Sequence, residues 1–205
     1  MVMEERGSTL KPRRAVDIVD DPEKIRLLAD FTRAEILRLL SKYPMTETLL
    51  SKQLGLTKAA VGYHLHLLTD AGFIRIEKVE AEEHGILQKY YSSVAALFVA
   101  DPDRIPNDVR RYFIQHQIEH LRGIFSVFQL YRHTSAVSSK TLEKLAVAML
   151  RQLKEVGQKH SGEETLEDAE TLKIKVYAEA LSHLTKQEEW LTLLRRPRKI
   201  GKTFK

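Results

Sequence analysis

Residues 57–72 read Thr-Lys-Ala-Ala-Val-Gly-Tyr-His-Leu-His-Leu-Leu-Thr-Asp-Ala-Gly, and this pattern predicts one short helix with a cap at each end. The hydroxyl of Thr57 can accept a backbone N–H bond at the start, and Gly72 can take the left-handed conformation that ends a helix. Apolar residues four and three positions apart form one stripe, which consists of Val61, Leu65 and Leu68.

The opposite face of this helix is small near its start and rich in hydrogen-bond donors elsewhere. It carries Lys58, Ala59, Gly62, Tyr63 and His66. A helix that enters the major groove of DNA needs both properties, because bulk blocks its approach and donors must reach bases and phosphates. This face is therefore a candidate DNA-contacting surface.

A second short helix precedes this one, after a link of about three residues. Thr46 is its predicted N-cap, Leu50 and Leu54 are two of its apolar residues, and Gly55 ends it. Further upstream, Thr32 is the predicted cap of another helix. Two short helices joined so tightly, the second with a polar outer face, predict a helix-turn-helix.

The apolar period changes after Gly72. Residues 73–79 include an alternation of apolar and charged residues, which predicts a strand, and residues 86–94 predict the returning strand. The turn between them, residues 80–85, is acidic. A β-hairpin in this position is a wing.

The C-terminal half is predicted to be helical, after a proline-containing boundary at residues 101–106. Its apolar residues recur every three or four positions, which is typical of coiled-coil-like packing. A monomer satisfies this pattern as a three-helix bundle, but further apolar faces favour contact with a second subunit. The candidate dimerisation residues are Ile114, Ile118, Leu121, Phe125, Phe128, Leu181, Leu184 and Leu191.

Four segments follow from these patterns. We predict a flexible arm over residues 1–15, a winged helix-turn-helix over 16–100, a helical dimerisation and possible effector domain over 101–195, and a basic tail over 196–205. The predicted fold is mostly α-helical with a small β-hairpin wing, followed by a helical, coiled-coil-like bundle.

Composition limits the kinds of site that the chain can carry. The 205 residues are 43% hydrophobic and 30% charged, with a formal net charge of +5 that mildly favours polyanionic partners. The sequence has no cysteine, which excludes disulfides, thiolate metal sites and a cysteine nucleophile. It also lacks a long apolar run and an N-terminal signal core, so we expect a cytoplasmic protein.

Residues 21–94 resemble the winged-helix domain of the arsenic-repressor-type (ArsR-like) transcription regulators. The order and spacing of several short stretches carry the resemblance. The stretches are residues 30–40, 50–55, 61–68, 71–72 and 89–91. The long helical C-terminal half loosely resembles archaeal regulators of this class, whose added helices often dimerise.

The resemblance implies a homodimer that binds double-stranded operator DNA. It places six residues toward DNA: Thr57, Lys58, Ala59, Gly62, Tyr63 and His66. The chain departs from the family at the acidic wing tip, where negative charge repels DNA, so the wing base supplies the better candidates. These are Arg75, Lys78 and Lys89.

We therefore expect a sequence-specific DNA-binding transcription regulator, in its simplest form a homodimeric repressor that occludes a promoter. Its operator is predicted to be palindromic, with half-sites roughly 34 Å apart. The alternative is a winged-helix module that binds protein without specific DNA binding. No glycine-rich phosphate loop, acid pair or nucleophile motif is present, so we expect neither an enzyme nor a cofactor.

Three smaller questions stay open in the sequence. Gly62 indicates either close approach to DNA or tight packing between helices. His116 and His120 lie four residues apart, as some zinc ligands do, but a zinc site needs about four ligands, so no metal is predicted. The aromatic residues Phe113, Phe125, Phe128 and Tyr131 line an effector pocket in one interpretation and form core in the other, which we favour.

Overall fold

The computed structural model describes residues 12–81, 87–132, 137–187 and 190, with only the helical backbone for residues 128–132. Within these residues the helices are α1 (Pro22–Leu28), α2 (Phe31–Leu40), α3 (Glu47–Leu54), α4 (Lys58–Asp70), α5 (Asn107–Arg132), α6 (Ser139–His160) and α7 (Ala169–Leu184). The strands are β1 (Arg13–Val19), β2 (Met45–Thr46), β3 (Ile74–Ala81), β4 (Leu87–Ser93), β5 (Ala95–Ala100) and β6 (Glu164–Thr165). The predicted fold class, mostly α-helical with a small hairpin after the helix-turn-helix, is confirmed.

Side-chain caps set the starts of the first two helices. Asp21 accepts backbone N–H bonds at the start of α1, which begins with Pro22 as the sequence predicted. Helix α2 begins after Asp30, whose carboxylate accepts a bond from the backbone N–H of Arg33 at 2.8 Å. The prediction that Thr32 caps this helix is wrong, because Asp30 is placed two residues earlier and satisfies the same kind of free N–H.

Strands β3 and β4 form the predicted hairpin. They pair antiparallel from Ile74 opposite Ser93 to Ala81 opposite Leu87, with a register shift between Ile76 and Lys78. Strand β2 adds to the other edge of β4, so the sheet order is β2-β4-β3. The acidic tip at residues 82–86 lies outside the described residues.

A second sheet, with the order β5-β1-β6, was not predicted. Strand β1 runs parallel to β5, with Arg14 opposite Ala95 and Val19 opposite Ala100. Ala15 and Val16 are buried in this sheet. The predicted flexible arm is therefore wrong for residues 13–15, since they belong to a strand; residues 1–11 of that arm lie outside the described residues.

Helix α6 packs closely on this second sheet at Gly157. A Cβ atom there would lie 3.0 Å from Cδ1 of Ile18 and 3.2 Å from Cγ1 of Val16. Distances this short are tighter than most real Cβ contacts, so the glycine allows helix and sheet to approach each other.

Two apolar cores organise the chain. The first core contains residues of the second sheet and of α5, α6 and α7. The second core contains residues of all four helices from α1 through α4 and of the start of the wing. Leu150 of α6 belongs to the second core, so the long helices reach the winged helix directly. The division of the chain into domains at residue 100 stays a prediction. Among the described helices, none combines the length and apolar character that crossing a bilayer requires.

Candidate nucleic-acid interface

The turn between α3 and α4 is fixed by local hydrogen bonds. Thr46 caps α3 by accepting a bond from the backbone N–H of Leu49 at 3.2 Å, and Gly55 ends that helix in the left-handed conformation, with φ at 66°. The hydroxyl of Ser51 then donates to the carbonyl of Leu56 at 2.7 Å, which closes the turn. Ser51 was not predicted to have this role, because a serine in a short helix gives no distinct signal in the sequence.

Helix α4 is positioned by one buried stripe and two caps. Val61, Leu65 and Leu68 are fully or almost fully buried, as their spacing predicted. Thr57 accepts a bond from the backbone N–H of Ala60 at 3.2 Å, and Gly72 follows the helix with φ at 76°. The stripe fixes the rotation of α4 about its axis, so its opposite face must point outward.

That outward face carries most of the side chains predicted to contact DNA. Thr57, Lys58 and Ala59 are exposed at its start. Further along, 61% of Tyr63 is exposed, and so is 74% of the His66 side chain. Among the described residues, Lys58 has no ion pair, so its ammonium group is available to a phosphate.

His66 is held in place by its own helix. Its Nε2 atom lies 3.2 Å from Oδ2 of Asp70, one turn later, and both side chains are largely exposed. Tyr63 contacts the ring of His64 edge-to-face, with centroids 5.5 Å apart. These contacts orient two donor-bearing side chains on the outward face without burying them.

Gly62, a residue of α4, faces the first turn of α3. A Cβ atom at this position would lie 3.4 Å from Oε2 of Glu47, in the first turn of α3. The neighbouring atoms are the flexible end of a side chain at a nearly ordinary contact distance, so helix packing does not require a glycine here. Its assignment to direct DNA contact stays a prediction.

Two of the three predicted cations at the wing base, Arg75 and Lys78, are already engaged in ion pairs. Nε of Arg75 lies 3.0 Å from Oε2 of Glu77, and Glu77 also accepts a bond from the Ser92 hydroxyl at 2.9 Å. Nζ of Lys78 lies 2.7 Å from Oε1 of Glu80, and this hydrogen bond raises the pKa of Lys78. The two carboxylates therefore offset the charge that the wing base offers to DNA.

Lys78 also lies over an aromatic ring, with Nζ 4.5 Å from the centroid of Tyr90. Lys89 is exposed on β4, opposite Val79. Of the three predicted wing-base contacts, Lys89 is thus the most open to solvent.

The candidate dimerisation residues divide into three groups. Leu121, Phe125 and Leu184 are buried inside one chain, so they are core residues of the subunit rather than surface residues. Ile114, Ile118 and Leu181 are partly buried against the same core. The side chain of Phe128 and the whole of Leu191 lie outside the described residues. A seam of apolar residues forms whether helices pack within one chain or between two, so the sequence could not separate these cases.

The histidine pair on α5 lies beside two aromatic rings. The ring centroids of His116 and His120 are 4.5 Å apart, and His116 stacks on Tyr112 while His120 contacts Tyr177. Loss of solvation and the charge of Lys173 lower the pKa of both histidines. Within the described part of the chain, no group of three His, Asp or Glu side chains gathers there or elsewhere to hold a metal ion.

The four aromatic residues considered for an effector pocket differ in their surroundings. Phe113 lines a cavity between α2, β5, α5 and α7. Phe125 is buried against Trp190, with ring centroids 4.8 Å apart, and is therefore core. The side chains of Phe128 and Tyr131 lie outside the described residues.

Comparison with known families gives one match. A family model described as a helix-turn-helix domain matches residues 28–77, which span α2, α3, α4 and the start of β3. A comparison with curated proteins finds no match. The matched segment contains the whole outward face of α4, and a helix-turn-helix domain indicates a DNA-binding regulator.

Proposed function

We propose that the protein is a sequence-specific transcription regulator that binds a palindromic operator as a homodimer, with α4 as its recognition helix. The observation that carries this proposal is the outward face of α4, which a buried stripe and two caps hold in one orientation. That face presents Lys58, Tyr63 and His66 on a helix narrow enough at its start to enter the major groove.

The chemistry of the face suits both phosphates and bases. Lys58 is in the first turn of α4, where the helix dipole adds to its positive charge and attracts a phosphate. Tyr63 offers a hydroxyl and an apolar ring edge, which can contact a phosphate or a thymine methyl group. His66 lies one turn farther along the groove-facing side.

Dimerisation is the second part of the proposal, and it rests on the resemblance to homodimeric regulators. Exposed apolar residues on the long helices support it, since Val127 of α5 is 55% exposed and Ile174 of α7 is 68% exposed. A two-fold dimer would place two α4 helices on half-sites roughly 34 Å apart. Repression by occlusion of a promoter follows from the same family resemblance.

A protein-binding winged helix is the second candidate, and one observation favours it. The wing exposes the apolar residues Ile76, Val79 and Leu87, which are 43%, 49% and 68% exposed. Its cations Arg75 and Lys78 are paired with carboxylates. A surface of this kind suits a protein partner better than a phosphate backbone.

A mobility-shift assay at low salt separates the two candidates. The full-length protein should retard a subset of sheared fragments from its own genome, and the affinity should fall as salt increases. Retardation of no fragment at low salt would contradict the proposal and favour the protein-binding alternative.

A further inference from the structure

A large cavity lies between the winged helix and the long helices. Its volume is about 390 Å³, within the range of small-molecule sites. Helix α2 forms one wall, β5 a second, and α5, α6 and α7 the others. Most of the lining is apolar or aromatic, with Leu37, Leu97, Phe98 and Leu153 among the contributors.

Polar groups are concentrated where α5 meets α7. Gln117 is only 4% exposed, and its Nε2 donates to the hydroxyl of Tyr177 at 3.3 Å. Its Oε1 is fully buried and has no hydrogen-bond partner among the described residues. With almost no exposed surface, this oxygen cannot be reached from the cavity, so Gln117 positions the Tyr177 hydroxyl and makes no ligand contact itself.

The same end carries an unbalanced positive charge. Lys173 lines the cavity, with Nζ 5.9 Å from the ring centroid of Tyr177, and forms no ion pair with a described residue. The other charges of the lining are matched, because Arg38 pairs with Glu35 at 2.5 Å and Glu170 lies 3.2 Å from Lys42. Lys173 is therefore left to attract an anion.

The neighbouring titratable groups do not cancel this charge. Loss of solvation and the charge of Lys173 lower the pKa of His116, so its imidazole is neutral near pH 7. Burial raises the pKa of Tyr177, so its hydroxyl keeps its proton and can donate. The anion end thus offers an ammonium group and a hydroxyl donor.

We propose that this cavity binds a small carboxylate with an apolar body. The carboxylate pairs with Lys173 and accepts from the Tyr177 hydroxyl. The apolar body lies along β5 and α2. Because α2 belongs to the matched helix-turn-helix segment, the ligand contacts both that segment and the long helices.

Isothermal titration calorimetry on the full-length protein tests this site without any DNA. The probe is octanoate at neutral pH, and its matched uncharged analogue is 1-octanol. The acid should bind at least about tenfold more tightly than the alcohol, since the ammonium–carboxylate contact is partly shielded from water. Equal affinity for the two probes, or binding of neither, would overturn the proposal.

One substitution assigns the anion contact. Lys173→Met should remove the preference for the acid over the alcohol. The control Lys144→Met, at an exposed position of α6, should leave this preference unchanged. Loss of the acid preference in the control as well would show a general charge effect, and an unchanged preference in Lys173→Met would place the anion elsewhere; both results would contradict the assignment.

A blocking variant tests the cavity itself. Ala34 lines it from α2 and is exposed, so Ala34→Trp should fill the opening with little effect on folding. Binding of octanoate should be lost while the thermal melting temperature of the free protein is kept. Full binding by this variant would show that the probe binds at another site. An effect of the ligand on operator affinity rests in addition on the proposed function and is measured separately, so failure of one does not imply failure of the other.

Discussion

The outward face of α4 and the base of the wing both carry cations toward solvent, but the two regions differ in what those cations contact. Lys58 on α4 has no ion pair among the described residues, whereas Arg75 and Lys78 at the wing base each lie within 3.0 Å of a carboxylate. A phosphate competes with those carboxylates for Arg75 and Lys78, but meets no such competitor at Lys58 among the described residues. The number of basic residues on a surface therefore does not by itself give its capacity to bind DNA.

The largest effect should follow from removal of the α4 contacts. Lys58→Ala combined with Tyr63→Ala should weaken operator binding about 100-fold, or roughly 2.7 kcal/mol, because it removes one phosphate contact and one groove contact. Both side chains are exposed, so the fold and the oligomeric state should not change. Fluorescence anisotropy with labelled operator measures the affinity, and light scattering checks the assembly. Unchanged affinity would remove α4 from the contact surface.

The matched change at the wing should have a much smaller effect. Arg75→Ala combined with Lys78→Ala should weaken binding only about threefold, since each cation is already screened by its carboxylate. The slope of log affinity against log salt should change by clearly less than 1 per residue removed. A loss comparable to that of the α4 double variant would show that the wing-base ion pairs open when DNA binds.

Removal of the ion-pair partner of one wing cation should strengthen operator binding. Glu80→Gln removes the partner of Lys78 and one negative charge, so operator binding should tighten about twofold, and the salt slope should steepen. The measurement is the same anisotropy titration at several salt concentrations. Weaker binding by this variant would mean that Glu80 positions Lys78 for its contact.

The smallest effect on DNA binding is expected at Gly62. In Gly62→Ala the new methyl group meets the flexible end of the Glu47 side chain, which can move, and the helix gains up to about 1 kcal/mol of stability. Operator affinity should stay within about twofold of the original value. Chemical denaturation gives the stability. A large loss of affinity without loss of stability would instead support close approach of this glycine to DNA.

The sequence predicted α4 well because all of its determinants are local. The cap at Thr57, the stripe from Val61 to Leu68 and the left-handed Gly72 lie within one segment, and each has a physical role that the pattern shows directly. The ion pairs of the wing also had a local signal. Residues two apart on a strand share a face, and both pairs, Arg75 with Glu77 and Lys78 with Glu80, follow that spacing.

The second sheet could not be predicted in the same way. Strand β1 pairs with β5, which is distant in sequence, and neither segment shows which partner completes its hydrogen bonds. The cavity is equally non-local, because its polar end combines Gln117 of α5 with Lys173 and Tyr177 of α7. Apolar periodicity also could not show that Leu121 and Leu184 pack within one chain.

Selection of genomic fragments bound by the full-length protein, sequenced in parallel for the Lys58→Ala and Tyr63→Ala double variant, tests most directly whether α4 is the recognition helix. If it is, a palindromic motif with half-site centres about 10 base pairs apart should be enriched, and this enrichment should be lost in the double variant. Enrichment of no motif, or of the same motif at the same level by both proteins, would contradict the assignment of α4 as the recognition helix.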